Sequence, residues 1–160
     1  MQAFDASSII YGWDNYPNQQ FPKLWNWMAT QIQAKLIVMS SVAAIEVQGK
    51  TPDCGSWLKD NNLEQWPVGN NELQEALRIK GLLGIVGDQY HVNGVGENDI
   101  IIISSCRLRS VSLVSDERRQ KDAPSISAKR KIPSVCGMAT VGVDCINFLD
   151  FIKGSGEIFG

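Results

Sequence analysis

The chain has 160 residues, 44% hydrophobic and 20% charged, with a formal net charge of -2. That is enough for one domain, 1–160, with a real core, and it is the composition of an ordinary globular protein. No apolar run reaches the roughly 20 residues of a membrane helix, no basic-then-apolar leader opens the chain, and a globally basic surface is excluded.

The first predicted strand is 2–7, from Gln2 through Phe4 and Asp5 to Ser7. Gly12 to Gln20, rich in Asn, Pro and Gly, predicts a loop. Phe21 to Gln33 predicts a helix, with Pro22 in its first turn and Leu24, Trp25, Trp27, Met28 and Ile32 in a broad apolar stripe. Leu36-Ile37-Val38-Met39 is a continuous apolar run and predicts a buried parallel strand. Ser40 or Ser41 can cap the next helix, which carries Glu46 and ends at Gly49. Asp53 can cap a short helix bearing Trp57 and Leu58, broken by Asn61 and Asn62.

Asn70 or Asn71 starts another helix, marked by Leu73, Ala76, Leu77, Ile79 and Leu83. Gly84 to Gly96 is a glycine-rich connection. The run Ile100-Ile101-Ile102-Ile103 favours a strand by propensity. The acid in front of it and the continuation to Leu108 allow a buried helix instead. Val111 to Ser115 predicts a strand ending in Asp116-Glu117. Polar sequence follows from Arg118 to Lys131, then a helical turn from Pro133 to Met138. A last strand is expected at 143–146, a terminal helix at 147–153, and a frayed tail over 154–160. Strands alternating with helices imply a three-layer α/β/α fold around a mostly parallel central sheet.

Cys54, Cys106, Cys136 and Cys145 contain no C-x-x-C pair, and His91 is the one histidine, so a Cys/His zinc site is not expected. Buried free thiols in a reducing cytosol are the preferred reading. Gly94-Val95-Gly96 lacks the rest of a dinucleotide fingerprint. His91 lies in a polar loop and makes a poor base for serine hydrolysis. Between Arg107 and Lys131, eight basic residues face three acids, a local surface that suits either a phosphate backbone or plain solvation.

The acids carry more information. Asp5 follows an apolar strand and precedes the hydroxyls of Ser7 and Ser8. Glu46 lies on the helix after the second strand, Asp99 opens the isoleucine run, and Asp116-Glu117 end a strand in the same apolar-hydroxyl-acid order as Asp5. Acids placed so can converge at one rim of a parallel sheet. Clustered carboxylates repel one another, and a hard cation relieves them; oxygen ligands without His or Cys favour Mg²⁺ or Mn²⁺.

This pattern resembles the PIN-domain nucleases, the superfamily of VapC-type toxins of bacterial toxin–antitoxin pairs. Phe4-Asp5-Ala6-Ser7-Ser8 corresponds to the first family motif, with Ala6 where Thr or Ser is commoner. Val42-Ala43-Ala44-Ile45-Glu46-Val47 corresponds to the second, and Asn98-Asp99-Ile100-Ile101-Ile102-Ile103 to the third. Leu113-Val114-Ser115-Asp116-Glu117 corresponds to the last; strict register puts Glu117 at the acid, with Asp116 one place early. The segments Phe21 to Trp27, Lys131 to Cys136 and Gly142 to Ile146 look like a distinct PIN-like branch.

The resemblance implies a helix rather than a strand over Ile100 to Leu108. It also implies an endoribonuclease dependent on Mg²⁺ or Mn²⁺, cytoplasmic, dimeric, without a membrane segment, and held in check by an antitoxin protein. The implied catalytic residues are Asp5, Glu46, Asp99, Asp116 and Glu117. Asp5, Asp99 and one or both of Asp116 and Glu117 would hold the metal, and Glu46 would complete the cluster or orient a water. Ser7 and Ser115 would hydrogen-bond and orient the carboxylates. Arg118, Arg119 and Lys121 would grip the RNA backbone.

Two other readings compete. One is a catalytically silent PIN-like module binding RNA or protein through Trp13, Tyr16 and the Trp25/Trp27 face. The other is an acidic phosphoryl-transfer pocket. A dehalogenase-like site needs a second acid where Ser7 stands, and a receiver needs a phospho-acceptor Asp ending its third strand, which is not visible.

Overall fold

The computed structural model describes residues 1–160. Five strands form one sheet in the order β3-β2-β1-β4-β5: β1 (Gln2–Phe4), β2 (Ile37–Ser40), β3 (Glu64–Trp66), β4 (Ser112–Val114) and β5 (Cys145–Ile146). Every neighbouring pair is parallel. A parallel sheet needs crossovers, and the helices that supply them cover its faces. They are α1 (Ala6–Asn15), α2 (Pro22–Gln33), α3 (Ser41–Lys50), α4 (Pro52–Asp60), α5 (Asn70–Leu82), α6 (Glu97–Arg109), α7 (Ile132–Cys136) and α8 (Phe148–Ser155). The three-layer α/β/α expectation holds. Phe4, Val38, Met39, Leu113 and Val114 are fully buried at its centre.

The isoleucine run is a helix. Asp99 accepts the Gly96 N–H at 2.9 Å across the first turn of α6, one half of a capping box, which a strand has no use for. Ile100, Ile101, Ile102 and Ile103 are all buried, which packing between sheet and α5 permits despite their strand propensity.

Three expectations are corrected. The first strand stops at Phe4, and Ser7 lies in α1; Ser8 Oγ sits 2.8 Å from the carbonyls of Asp5 and Val114 and locks that turn. The loop expected from Gly12 is helix as far as Asn15, because α1 needs a residue without a side chain there: a Cβ on Gly12 would stand 2.5 Å from Phe148 Cζ. The third correction is a strand with no counterpart in the expectations. β3 is a three-residue edge strand, Glu64-Gln65-Trp66, paired to Val38 through Ser40. Smaller shifts follow the same logic. Leu36 stays exposed outside β2, and α4 starts at Pro52 rather than being capped by Asp53.

The basic cluster divides. Arg109 pairs with Glu72 at 3.0 Å and stacks over Trp66, while Arg107 and Arg78 share Glu75 at 3.4 and 2.6 Å. These pairs clip α5 to α6 around two nearly buried glutamates and are structural. Arg118, Arg119 and Lys121 remain exposed. The four cysteines are free, three of them buried. The chain end is coil from Gly156, with Phe159 against Trp27 at 5.4 Å.

Candidate metal centre

Strand β1 lies between β2 and β4, so consecutive crossovers leave it in opposite directions. The crevice where such a sheet reverses is where ligands of open α/β folds bind. Asp5 is the first residue beyond β1 at that point. Its N–H still donates to Val114 O at 2.9 Å, and its backbone is extended at φ -76 and ψ 156, the geometry of a residue preceding a helix. It is 3% exposed and spends none of its carboxylate on capping α1.

Two hydroxyls fix that carboxylate. Ser7 Oγ donates to Asp5 Oδ2 at 2.6 Å and Ser115 Oγ donates to the same oxygen at 3.0 Å. The hydroxyls in turn accept from the next residues of the chain. The Asp116 N–H donates to Ser7 Oγ at 3.0 Å and the Glu117 N–H to Ser115 Oγ at 3.2 Å. These bonds tie the end of β4 to the end of β1. Oδ1 of Asp5 takes no protein hydrogen bond. Extending the register Ala3 to Val38 by two residues puts Ser40 level with Asp5, and Ser40 Oγ is buried without a partner.

Asp5 is the charge that the other acids share. Burial pushes the Asp5 carboxyl above its ordinary range against the pull of the two serines, and the charges of Glu46 and Glu117 add to it. Asp99 is pushed up to about 6, by burial first, against the Gly96 N–H, with Asp5, Glu117 and Glu46 adding repulsion. Asp5 and Asp99 thus each feel the charges of Glu46 and Glu117. Burial raises the Asp116 carboxyl too, against the Phe148 N–H, and the Asp5 charge adds to it. Asp116 Oδ2 accepts the Phe148 N–H at 3.1 Å and so satisfies an orphan donor at the start of α8.

Glu46 accepts from Lys50 Nζ at 2.5 Å one turn along α3. The ammonium also feels Asp5 and Glu117, and its own proton is held more tightly as a result, chiefly through Glu46. A lysine paired with Glu46 was not expected from the sequence; the i, i+4 spacing is the signal for it. An open cleft between α3 and α6 is lined by Glu46, Gly96, Glu97, Asn98 and Asp99, with no apolar residue. Glu97 and Asn98 join the site here, again unforeseen.

The donor set fits a hard divalent cation: oxygen only, negatively charged, with Asp5 Oδ1 and Ser40 Oγ uncommitted. No group of three or more Asp, Glu, His or Cys side chains stands in a metal-holding arrangement. Glu46 is held by Lys50 and Asp99 by its helix turn. Just past Glu117, Arg119 Nη2 donates to Cys145 O at 2.7 Å, while Arg118 and Lys121 form no ion pair.

A crystal structure of VapBC2 from Rickettsia felis, bound to a DNA fragment from their promoter, superposes with a TM-score of 0.51 at 16% identity, covering 91% of this chain and 97% of that one. At that identity the likeness is one of fold, and the fold is PIN-like. No curated protein matches the chain. No helix is long and apolar enough to cross a membrane. The model of a domain of unknown function, DUF4411, matches residues 3–159, and the chain belongs to that family.

Proposed function

We propose that this protein is an endoribonuclease dependent on Mg²⁺ or Mn²⁺, acting as the toxin of a toxin–antitoxin pair in the cytoplasm. The observation that carries this reading is the buried Asp5 carboxylate at the switch point of a PIN-like sheet, aimed by Ser7 and Ser115 and within reach of the charges of Glu46, Asp99 and Glu117. Asp5, Asp99 and Glu117 would hold the metal. A cation bound there supplies charge neutralisation for a phosphodiester and a lower pKa for an attacking water. Ser7 and Ser115 keep the Asp5 carboxylate in one orientation by bonding the same oxygen. Glu46, once released by Lys50, is free to accept a proton from water or to complete the ligand set. Arg118, Arg119 and Lys121 supply positive charge to the RNA backbone next to the last acid. Fold likeness to VapBC2 and the sequence resemblance to VapC-type toxins support an antitoxin protein and a second copy of the chain as partners.

The test is incubation of the purified protein, free of antitoxin, with pooled structured and single-stranded RNAs under Mn²⁺, Mg²⁺ or EDTA. Cleavage that needs the metal and disappears in Asp5→Asn is the expected result. Intact RNA under every condition, with RNA or protein binding retained, would replace the nuclease by a silent binding module.

A further inference from the structure

Cysteines gather where α7 meets β5. The helix lies against the strand with Cα atoms within 8 Å. The Val143 N–H donates to Cys136 O at 3.1 Å, which fastens the chain just ahead of Cys145 to the end of α7. Across that junction the Cys136 S–H donates to Cys145 Sγ. The two thiols are not alike. Cys136 is 1% exposed, and its thiol is pushed above the ordinary range, first by the bond it gives to Cys145 and then by burial. Cys145 is half-buried. Its thiol is pulled below the ordinary range, chiefly by the Cys136 S–H; burial opposes this, and the Arg119 guanidinium, which donates to the Cys145 carbonyl at 2.7 Å, adds to it. Cys54 and Cys106, both buried, are pushed up to about 12. A partly exposed thiol beside a cation is the setting of a reactive cysteine, whereas apolar burial makes a thiol inert.

We propose that Cys145 and Cys136 form an oxidation site, in which Cys145 reacts with a hydroperoxide and Cys136 resolves the product to a disulfide. The Cys145 sulfur attacks the terminal oxygen of the hydroperoxide and the O–O bond breaks. The alcohol, or water from hydrogen peroxide, leaves with the thiol proton, and Cys145 becomes a sulfenic acid. The Cys136 sulfur then attacks the Cys145 sulfur. The S–O bond breaks, water leaves with the second thiol proton, and the S–S bond forms. Two electrons pass from the two thiols to one hydroperoxide. The bridge joins α7 to β5, whose Ile146 carbonyl accepts the Ser115 N–H at 2.8 Å, so the modified strand adjoins the end of β4 that carries the acids. Neither thiol is a metal-site residue, and the oxidation is read without RNA or metal.

The reduced protein is treated with hydrogen peroxide in EDTA and followed by intact mass. Fragments are mapped after cleavage before Asp144, which separates Cys136 from Cys145. The expected product has lost two hydrogen atoms, and its two cysteine fragments stay joined until reductant is added. Cys136→Ser is expected to stop at the sulfenic acid, trapped by dimedone on Cys145. Cys145→Ser is expected to react about tenfold more slowly than the parent, since the thiols left to it are buried. A disulfide between any other pair, dimedone on another cysteine first, thiols that all stay reduced, or a Cys145→Ser chain oxidised as fast as the parent overturns the proposal. Limited alkylation of the parent tests the same reactivity without a substitution. Cys145 is expected to be labelled ahead of Cys54, Cys106 and Cys136, and equal labelling of all of them contradicts it.

Discussion

Glu117→Gln is expected to abolish metal-dependent RNA cleavage while Asp116→Ala leaves it nearly intact. The two acids are neighbours in sequence and part company in the structure. Asp116 spends its carboxylate on the Phe148 N–H at the start of α8. Glu117 adds to the charge felt by both Asp5 and Asp99. Losing one anionic metal ligand of a small set should lower kcat/KM by about a thousandfold, or about 4 kcal/mol of transition-state stabilisation at roughly 1.4 kcal/mol per factor of ten. Asp116→Ala removes an N-terminal cap instead, worth about 1 kcal/mol. In a chain of this size that is a fall in Tm of about 2–4 °C. Cleavage rates and thermal melts on both variants check the division. Equal loss of activity in both would place both carboxylates at the metal, and loss in Asp116→Ala alone would reverse the assignment.

The second large effect concerns charge repulsion in the metal-free protein. Asp99 titrates at about 6 in the fold against 3.8 for the free side chain. Between those values the folded chain binds more protons than the unfolded one, so stability falls as pH rises. The stability is fully present below about pH 4 and is lost as pH climbs through 6. A shift of that size corresponds to about 3 kcal/mol at pH 7, counting about 1.4 kcal/mol per pH unit. Asp5, raised mainly by burial, contributes with the same sign. Asp99→Asn should therefore be the more stable protein in EDTA at pH 7, and the advantage should vanish near pH 4. Mn²⁺ should stabilise the parent and not the variant, since a bound cation favours the charged carboxylate. Melting curves from pH 4 to 7, with EDTA or Mn²⁺, decide it; a variant less stable than the parent in EDTA at pH 7 would show that Asp99 is a structural cap first.

The acids were legible in the sequence because each sits at a recognisable boundary. Asp5 and Ser115-Asp116-Glu117 follow apolar strands, Glu46 lies on the helix after the second, and Asp99 opens a helix. Local rules alone did not decide Ile100 to Ile103, where propensity and pattern disagree; burial on both sides of α6 makes the disagreement harmless. What stayed hidden depends on contacts between distant segments. β3 contains Glu64 and Gln65 and no apolar run, and only pairing with β2 makes it a strand. α1 runs on past Gly12 because Phe148, far along the chain, needs the space. The bond of Asp116 to the start of α8 and the ion pairs of Arg107 and Arg109 with α5 are long-range in the same way.

The most direct measurement is calorimetric titration of Mn²⁺ into the metal-free protein, with Asp5→Asn, Glu117→Gln and Asp116→Ala alongside. The four-acid account predicts binding in the parent and in Asp116→Ala, and its loss in Asp5→Asn and Glu117→Gln. Binding that survives Asp5→Asn unchanged, or no binding by the parent, would contradict a metal centre at the end of β1.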